Sequence, residues 1–118
     1  MSIALQEMNE LHSHAGGTTR LLKAMANEHR LLVLCALAGG EMSVGQINYV
    51  VPLSQSSLSQ HLGILRESGL VTTRRDAQAI FYRLKGDEAI RVIELLQSAK
   101  GLDVVEDAPA SVPEKWVS

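Results

Sequence analysis

The chain has 118 residues, 46% of them hydrophobic and 3% aromatic, and carries a formal net charge of −2. That length and apolar content suit one domain, and the longest apolar run, Leu31 to Ala38, is far too short to span a bilayer. A single cysteine excludes an intrachain disulfide and fits a reducing compartment, and no basic segment leads into an apolar one at the start, so a cytoplasmic protein is expected.

A negative total charge argues against nucleic acid until its distribution is read. Residues 54–83 hold Arg66, Arg74, Arg75 and Arg83 against Glu67 and Asp76. Residues 101–118 hold Asp103, Glu106, Asp107 and Glu114 against Lys115, with prolines at 109 and 113, and are expected to form an acidic, disordered tail behind a domain at 1–100. The basic margin is thin, so doubling the footprint by dimerisation and strong salt sensitivity are expected.

In chain order, residues 3–26 read as helical, with Leu5, Met8, Leu11 and Ala15 spaced three or four apart, then Leu21, Leu22 and Met25. Gly16–Gly17 interrupts them, leaving open one bent helix or two short ones with Thr18 or Thr19 capping the second. Asn27 caps the next helix, whose LLVLCALA string is apolar nearly all round and so belongs at the centre of a core. Gly39–Gly40 ends it. Ser43 caps a short helix with Val44, Ile47 and Val50 or Val51 inward, and Pro52 stops it.

Ser54 then caps the segment LSQSSLSQHLGILRESG, a helix with two unlike faces. Leu58, Leu62 and Leu65 form an apolar stripe, and Ser56, Ser59, Gln60 and Gly63 fall on the other side. Solvent faces of helices are usually Glu and Lys. A neutral Ser/Gln face, whose side chains both donate and accept, suits the base edges of a DNA major groove. Glu67, two turns on, would repel phosphates, so only the N-terminal half is expected to go deep. Short helix, tight turn and longer helix make a helix-turn-helix.

Gly69 is the expected C-cap, and residues 70–75 and 79–84 read as a β-hairpin turned by Asp76-Ala77-Gln78, a wing carrying Arg74, Arg75 and Arg83. The last helix, from about 87 to 99, is apolar on more than one face, and a second copy is the simplest cover for the surplus.

These strings, LLKAMANEHRLLVLCAL, EMSVGQI and LSQSSLSQHLGILRESGLVTTRRDAQAIFYRL, resemble the ArsR/SmtB family of winged helix-turn-helix transcriptional regulators over residues 21–99, within its NolR/HlyU-like branch. The resemblance implies a mainly α fold with a small β-hairpin (α-α-α-α-β-β-α), a homodimer joined through first and last helices, and a pseudo-palindromic operator in double-stranded DNA. By position, Gln55, Ser56, Ser57, Ser59, Gln60 and His61 on the helix and Arg74, Arg75 and Gln78 on the wing are the expected DNA contacts. Repression is the simpler outcome, and activation by displacing another repressor occurs in the branch.

The departures bear on the signal. Metal-sensing members carry a thiolate pair where this chain has Ser43 and Gly45, and other members use histidine in the last helix, which has none here. Thiol-sensing members pair a second-helix cysteine with another in the last helix. Cys35 holds the first position and has no mate. No metal, no cofactor and no redox switch are expected, and any small-molecule effector, for instance at the dimer interface, is left open.

Single residues carry plainer readings as well. Cys35 in LVLCAL reads as a packing thiol. His12 and His14 point about 200° apart on a helix and do not chelate together. His29 reads as a first-turn surface residue, and His61, at the edge of the leucine stripe, is either part-buried with one hydrogen bond or a DNA contact. A winged-helix module that binds another protein through its polar face is the rival function. No nucleophile with a base and an orienting acid stands at useful spacing, so an enzyme is not expected.

Overall fold

The string LLVLCALA is the axis of the molecule. In a computed structural model that describes residues 4–98, it lies in a helix, α2 (Glu28–Ala38), in which Val33, Leu34 and Leu37 are buried. The other elements are, in order, α1 (Leu5–Met25), β1 (Met42–Ser43), α3 (Val44–Val50), α4 (Gln55–Glu67), β2 (Val71–Asp76), β3 (Ala79–Leu84) and α5 (Glu88–Ser98). All four other helices and β3 pack on α2, because its apolar residues leave no polar side to give to water. Cys35 sits half-buried beside this core, and burial pushes its thiol pKa up.

The helix-starting caps at Asn27, Ser43 and Ser54 are in place. Asn27 accepts from the Arg30 amide, and Ser54 accepts from the Ser57 amide. Ser43 accepts from the Gln46 amide while the Gln46 side chain accepts from the Ser43 amide, a reciprocal capping box. At the far end of α4 the chain turns through Gly69 at φ +78°. Gly69 N–H donates to Arg66 and Leu70 N–H to Leu65, the two bonds of a Schellman motif. Gly69 therefore lies one residue beyond the cap itself, Ser68. Leu58, Leu62 and Leu65 are buried, and Leu70 and Val71 carry the core straight into β2.

Two differences from expectation stand out. The wing is a three-stranded antiparallel sheet in the order β1-β3-β2, with Met42 opposite Tyr82 and Ser43 opposite Phe81. A two-residue strand has no signature of its own and exists only because β3 offers a free edge. Next, α1 runs unbroken through Gly16 and Gly17, so of the two readings the single helix holds. No side chain caps its start, and only Ala24 and Met25 of its 21 residues are buried. The β2–β3 turn places Ala77 at φ 57°, a left-handed conformation that costs a residue with a Cβ about 1 kcal/mol. The expected tail at 101–118 lies outside the described residues.

Candidate nucleic-acid interface

Helix α4 shows its polar side to an open groove of about 840 Å³ whose other walls are α3 and the tip of the hairpin. Gln55, Ser56 and Ser59 line it from α4, Ser43, Gly45 and Asn48 from α3 and its cap, and Gln78, Ala79 and Ile80 from the turn and β3. The floor is the core itself, since Leu58 is 1% exposed and Val44 packs beside it. None of the lining residues bears a formal charge. Amides and hydroxyls alone give many donors and acceptors, with no acid or base among them to activate a hydroxyl.

The groove is held rigid from beneath. Asn48 Nδ2 donates to the carbonyls of Leu53 (2.9 Å) and Val51 (3.4 Å), tying α3 to the turn before α4. The Ser54 hydroxyl lies 3.3 Å from that of Ser56, at the rim. Asn48 and Gly45 were missed in the sequence, where α3 was read only for its inward face.

The expected contact residues divide into three groups. Gln55, Ser56, Ser59 and Gln78 converge on the groove, and Gln60 is exposed on the adjoining flank of α4. Ser57 and His61 do not reach it. They lie about 160° and 200° round the helix from Ser59, and His61 faces α2 instead. Its Nδ1 is 3.2 Å from an Arg30 guanidinium nitrogen, and its ring is 5.7 Å from that of His29. Arginine has no acceptor, so His61 Nδ1 must be unprotonated to receive that bond. Burial first, then the charge of Arg30 and the neighbouring His29, hold the His61 pKa below its ordinary value. His29, expected at the open surface, is half-buried by the same contact.

On the wing, residues paired across an antiparallel ladder share a face. Arg75 is opposite Ile80, a groove residue, and is exposed. Arg74 is opposite Phe81, on the other face, with its guanidinium 4.5 Å from that ring's centroid. Its Nε donates to both oxygens of Glu41, at 2.9 and 2.8 Å, one terminal nitrogen lies 2.7 Å from the same carboxylate, and Asp76 lies at 3.7 Å. The bond from Arg74 and the charges of Arg74 and Arg83 hold the Glu41 pKa below the usual carboxylate range. Arg74 thus ties the wing to the segment before β1 rather than offering a free charge. Neither Glu41 nor this pairing was read from the sequence.

Among the described residues no three His, Cys, Asp or Glu side chains converge in a way that could hold a metal ion, and no helix is long and apolar enough to cross a membrane.

The profile of the "Bacterial regulatory protein, arsR family" matches residues 27–73, from the cap of α2 into β2. The transcriptional activator HlyU of Vibrio cholerae is 48% identical over 93 residues, 79% of this chain and 86% of that protein. A biofilm growth-associated repressor of Agrobacterium fabrum is 53% identical over 76 residues, 64% of this chain and 65% of the repressor. Among solved structures, a homodimeric winged helix-turn-helix DNA-binding domain, Mb0332 of Mycobacterium bovis, superposes with a TM-score of 0.69 at 31% identity, covering 76% of this chain and 83% of that one. With its caps, its groove and its wing in this arrangement, the chain belongs to the arsR family of winged helix-turn-helix transcriptional regulators and is not an enzyme.

Proposed function

We propose that the protein binds operator DNA as a homodimer in the cytoplasm, with the uncharged groove at the N-terminal half of α4 as its reading surface. The observation that carries this is the convergence of Gln55, Ser56, Ser59, Asn48 and Gln78 from three elements on one concave, charge-free surface. Such a set of amides and hydroxyls matches the donor and acceptor pattern of base edges. Gln60 and Arg75 flank it, and Arg75 and Arg83 supply charge for phosphates, while Ser57, His61 and Arg74 serve by holding α4 and the wing in place.

A second copy is the partner that the apolar surface asks for. Leu5, Leu11 and Leu22 on α1 are 79%, 48% and 54% exposed, and Leu95 and Leu96 on α5 are 68% and 50% exposed. An isologous pairing of α1 and α5 covers both patches at once and gives two grooves for a two-fold operator, with half-site centres about one helical turn of DNA apart. Since similar proteins are named both activator and repressor, repression is the simpler reading of the outcome and relief of another repressor the second.

The test is retardation of a duplex selected from a random pool. Gln55→Ala is expected to weaken the selected duplex by about 1–3 kcal/mol while leaving non-specific binding unchanged. Leu11→Glu with Leu95→Glu is expected to give a monomer by sedimentation and to lose retardation. Equal binding of selected and scrambled duplexes by the unaltered chain would overturn the proposal.

A further inference from the structure

On the opposite side of α4 lies a second, smaller pocket, of about 400 Å³, that the DNA reading does not use. It is walled by Gly16, Thr19, Arg20 and Lys23 of α1, by Arg30 of α2, and by Ile64 and Ser68 at the end of α4, with buried Ala24 beneath. Three cations line it and no carboxylate does. Among the described residues the only ion pairs are those of Arg74 with Glu41 and Asp76, so Arg20, Lys23 and Arg30 have no acidic partner.

A plainer account is that these cations serve helix ends. Arg30 donates to the carbonyls of Ala24 and Lys23 at the C-terminus of α1, the second of which also accepts from the Ala26 amide, and Lys23 sits in the last turn of α1. The magnitudes decide against that as a full explanation. A helix C-terminus is equivalent to about half a negative charge, and two such ends offset about one of the three positive charges here. The pocket keeps a surplus of positive charge, which suits an anion such as a phosphate monoester.

We infer that this pocket between α1 and α4 binds a phosphate group, with Arg20, Lys23 and Arg30 as its ligands. Arg30 is fixed in place by its three hydrogen bonds to Lys23, Ala24 and His61, which leave two of its five N–H groups to give. The Thr19 hydroxyl is at hand as a further donor, whereas the Ser68 hydroxyl is already donated to the Ile64 carbonyl at 2.7 Å. The pocket is larger than a bare phosphate, and the apolar surface of Ala24 and Ile64 leaves room for a small organic body.

Two sources of phosphate share this chemistry, a free small molecule and a DNA backbone. Geometry favours the first, because Ile64 and Ser68 lie about 140° and 180° round α4 from Ser59, away from the reading groove. On α1, Arg20 lies about 160° from Leu22 and about 180° from Leu11, while Thr19 lies about 60° from Leu22, so a second copy on the Leu11–Leu22 side leaves Arg20 free and approaches the pocket at Thr19.

The test is an amide-resolved NMR titration of the full chain with inorganic phosphate, replacing chloride at constant ionic strength and pH. Saturating shifts at Thr19, Arg20, Lys23 and Ser68, without change at Gln55 or Ser59, are expected, with acetate weaker. The double variant Arg20→Gln, Lys23→Gln is expected to bind phosphate about tenfold more weakly. Both side chains are exposed, and an unchanged melting temperature in chloride checks that the variant is folded. Non-saturating shifts, shifts scattered over all surface cations, or undiminished binding in the double variant would overturn the inference. So would pocket shifts produced by the selected operator duplex but not by phosphate, which would make the pocket a backbone contact.

Discussion

Helices α1 and α4 meet near their C-termini but are held in opposite ways. Over 13 residues α4 has a side-chain cap, three buried leucines and a closed Schellman end. Over 21 residues α1 has no side-chain cap, two glycines in mid-helix and only two buried residues, both at its end. The difference separates two kinds of element: the shorter helix, α4, is fixed within its own chain, and the longer one, α1, keeps most of its length exposed.

Truncation should expose that contrast most strongly. Leu65, fully buried, replaced by alanine should cost about 2–5 kcal/mol in urea denaturation. Leu11→Ala, half exposed, should cost under about 0.5 kcal/mol in dilute monomer and more as concentration rises. Equal losses at all concentrations would mean that α1 is packed within its own chain. Next in size, Ser54→Ala removes a cap bond of 3.2 Å and should cost about 1 kcal/mol, while Thr18→Ala and Thr19→Ala in mid-helix should cost nothing measurable or stabilise slightly. A smaller effect of opposite sign is expected for Gly16→Ala, where the added Cβ meets nothing. It should stabilise by about 0.5–1 kcal/mol if α1 is continuous in solution, and no gain would show that the helix forms only in the dimer.

The smallest effect is electrostatic. The His61 pKa lies below 6.5 in the folded chain, so the unfolded chain takes up its proton first as pH falls. The contact's contribution is therefore complete above about pH 6.5 and is lost as pH falls through the folded value. His61→Gln keeps an acceptor for Arg30 and should remove this part of the pH dependence. An identical stability–pH curve for the variant would show that His61 does not titrate between the two states.

Much of the fold was legible because it is written locally. Asn27, Ser43 and Ser54 cap where capping chemistry says they must, and the stripe of Leu58, Leu62 and Leu65 marks the buried side of α4. What was not legible is what joins residues far apart in the chain. Arg30 meets His61 across 31 residues, and Arg74 meets Glu41 across 33. Those pairings hold His61 against α2 and Arg74 against Glu41, and no periodicity announces them. Strand β1 escaped for a related reason, since Met42 and Ser43 become a strand only beside Tyr82 and Phe81. Asn48 was hidden by its helix being too short to show a polar face.

Ser43 carries a consequence for how such a regulator can be retuned. Its backbone is paired with Phe81 in the sheet while its side chain starts α3, so one residue belongs at once to the sheet and to the first helix of the pair. The distance between groove and wing is accordingly built into each protomer and cannot stretch to suit a different DNA. On the proposed dimer the distance between the two half-sites is set elsewhere, by how α1 and α5 meet their copies. A change of operator spacing should therefore arise from substitutions on α1 and α5, and a change of operator sequence from Gln55, Ser56 and Ser59, with little exchange between the two sets.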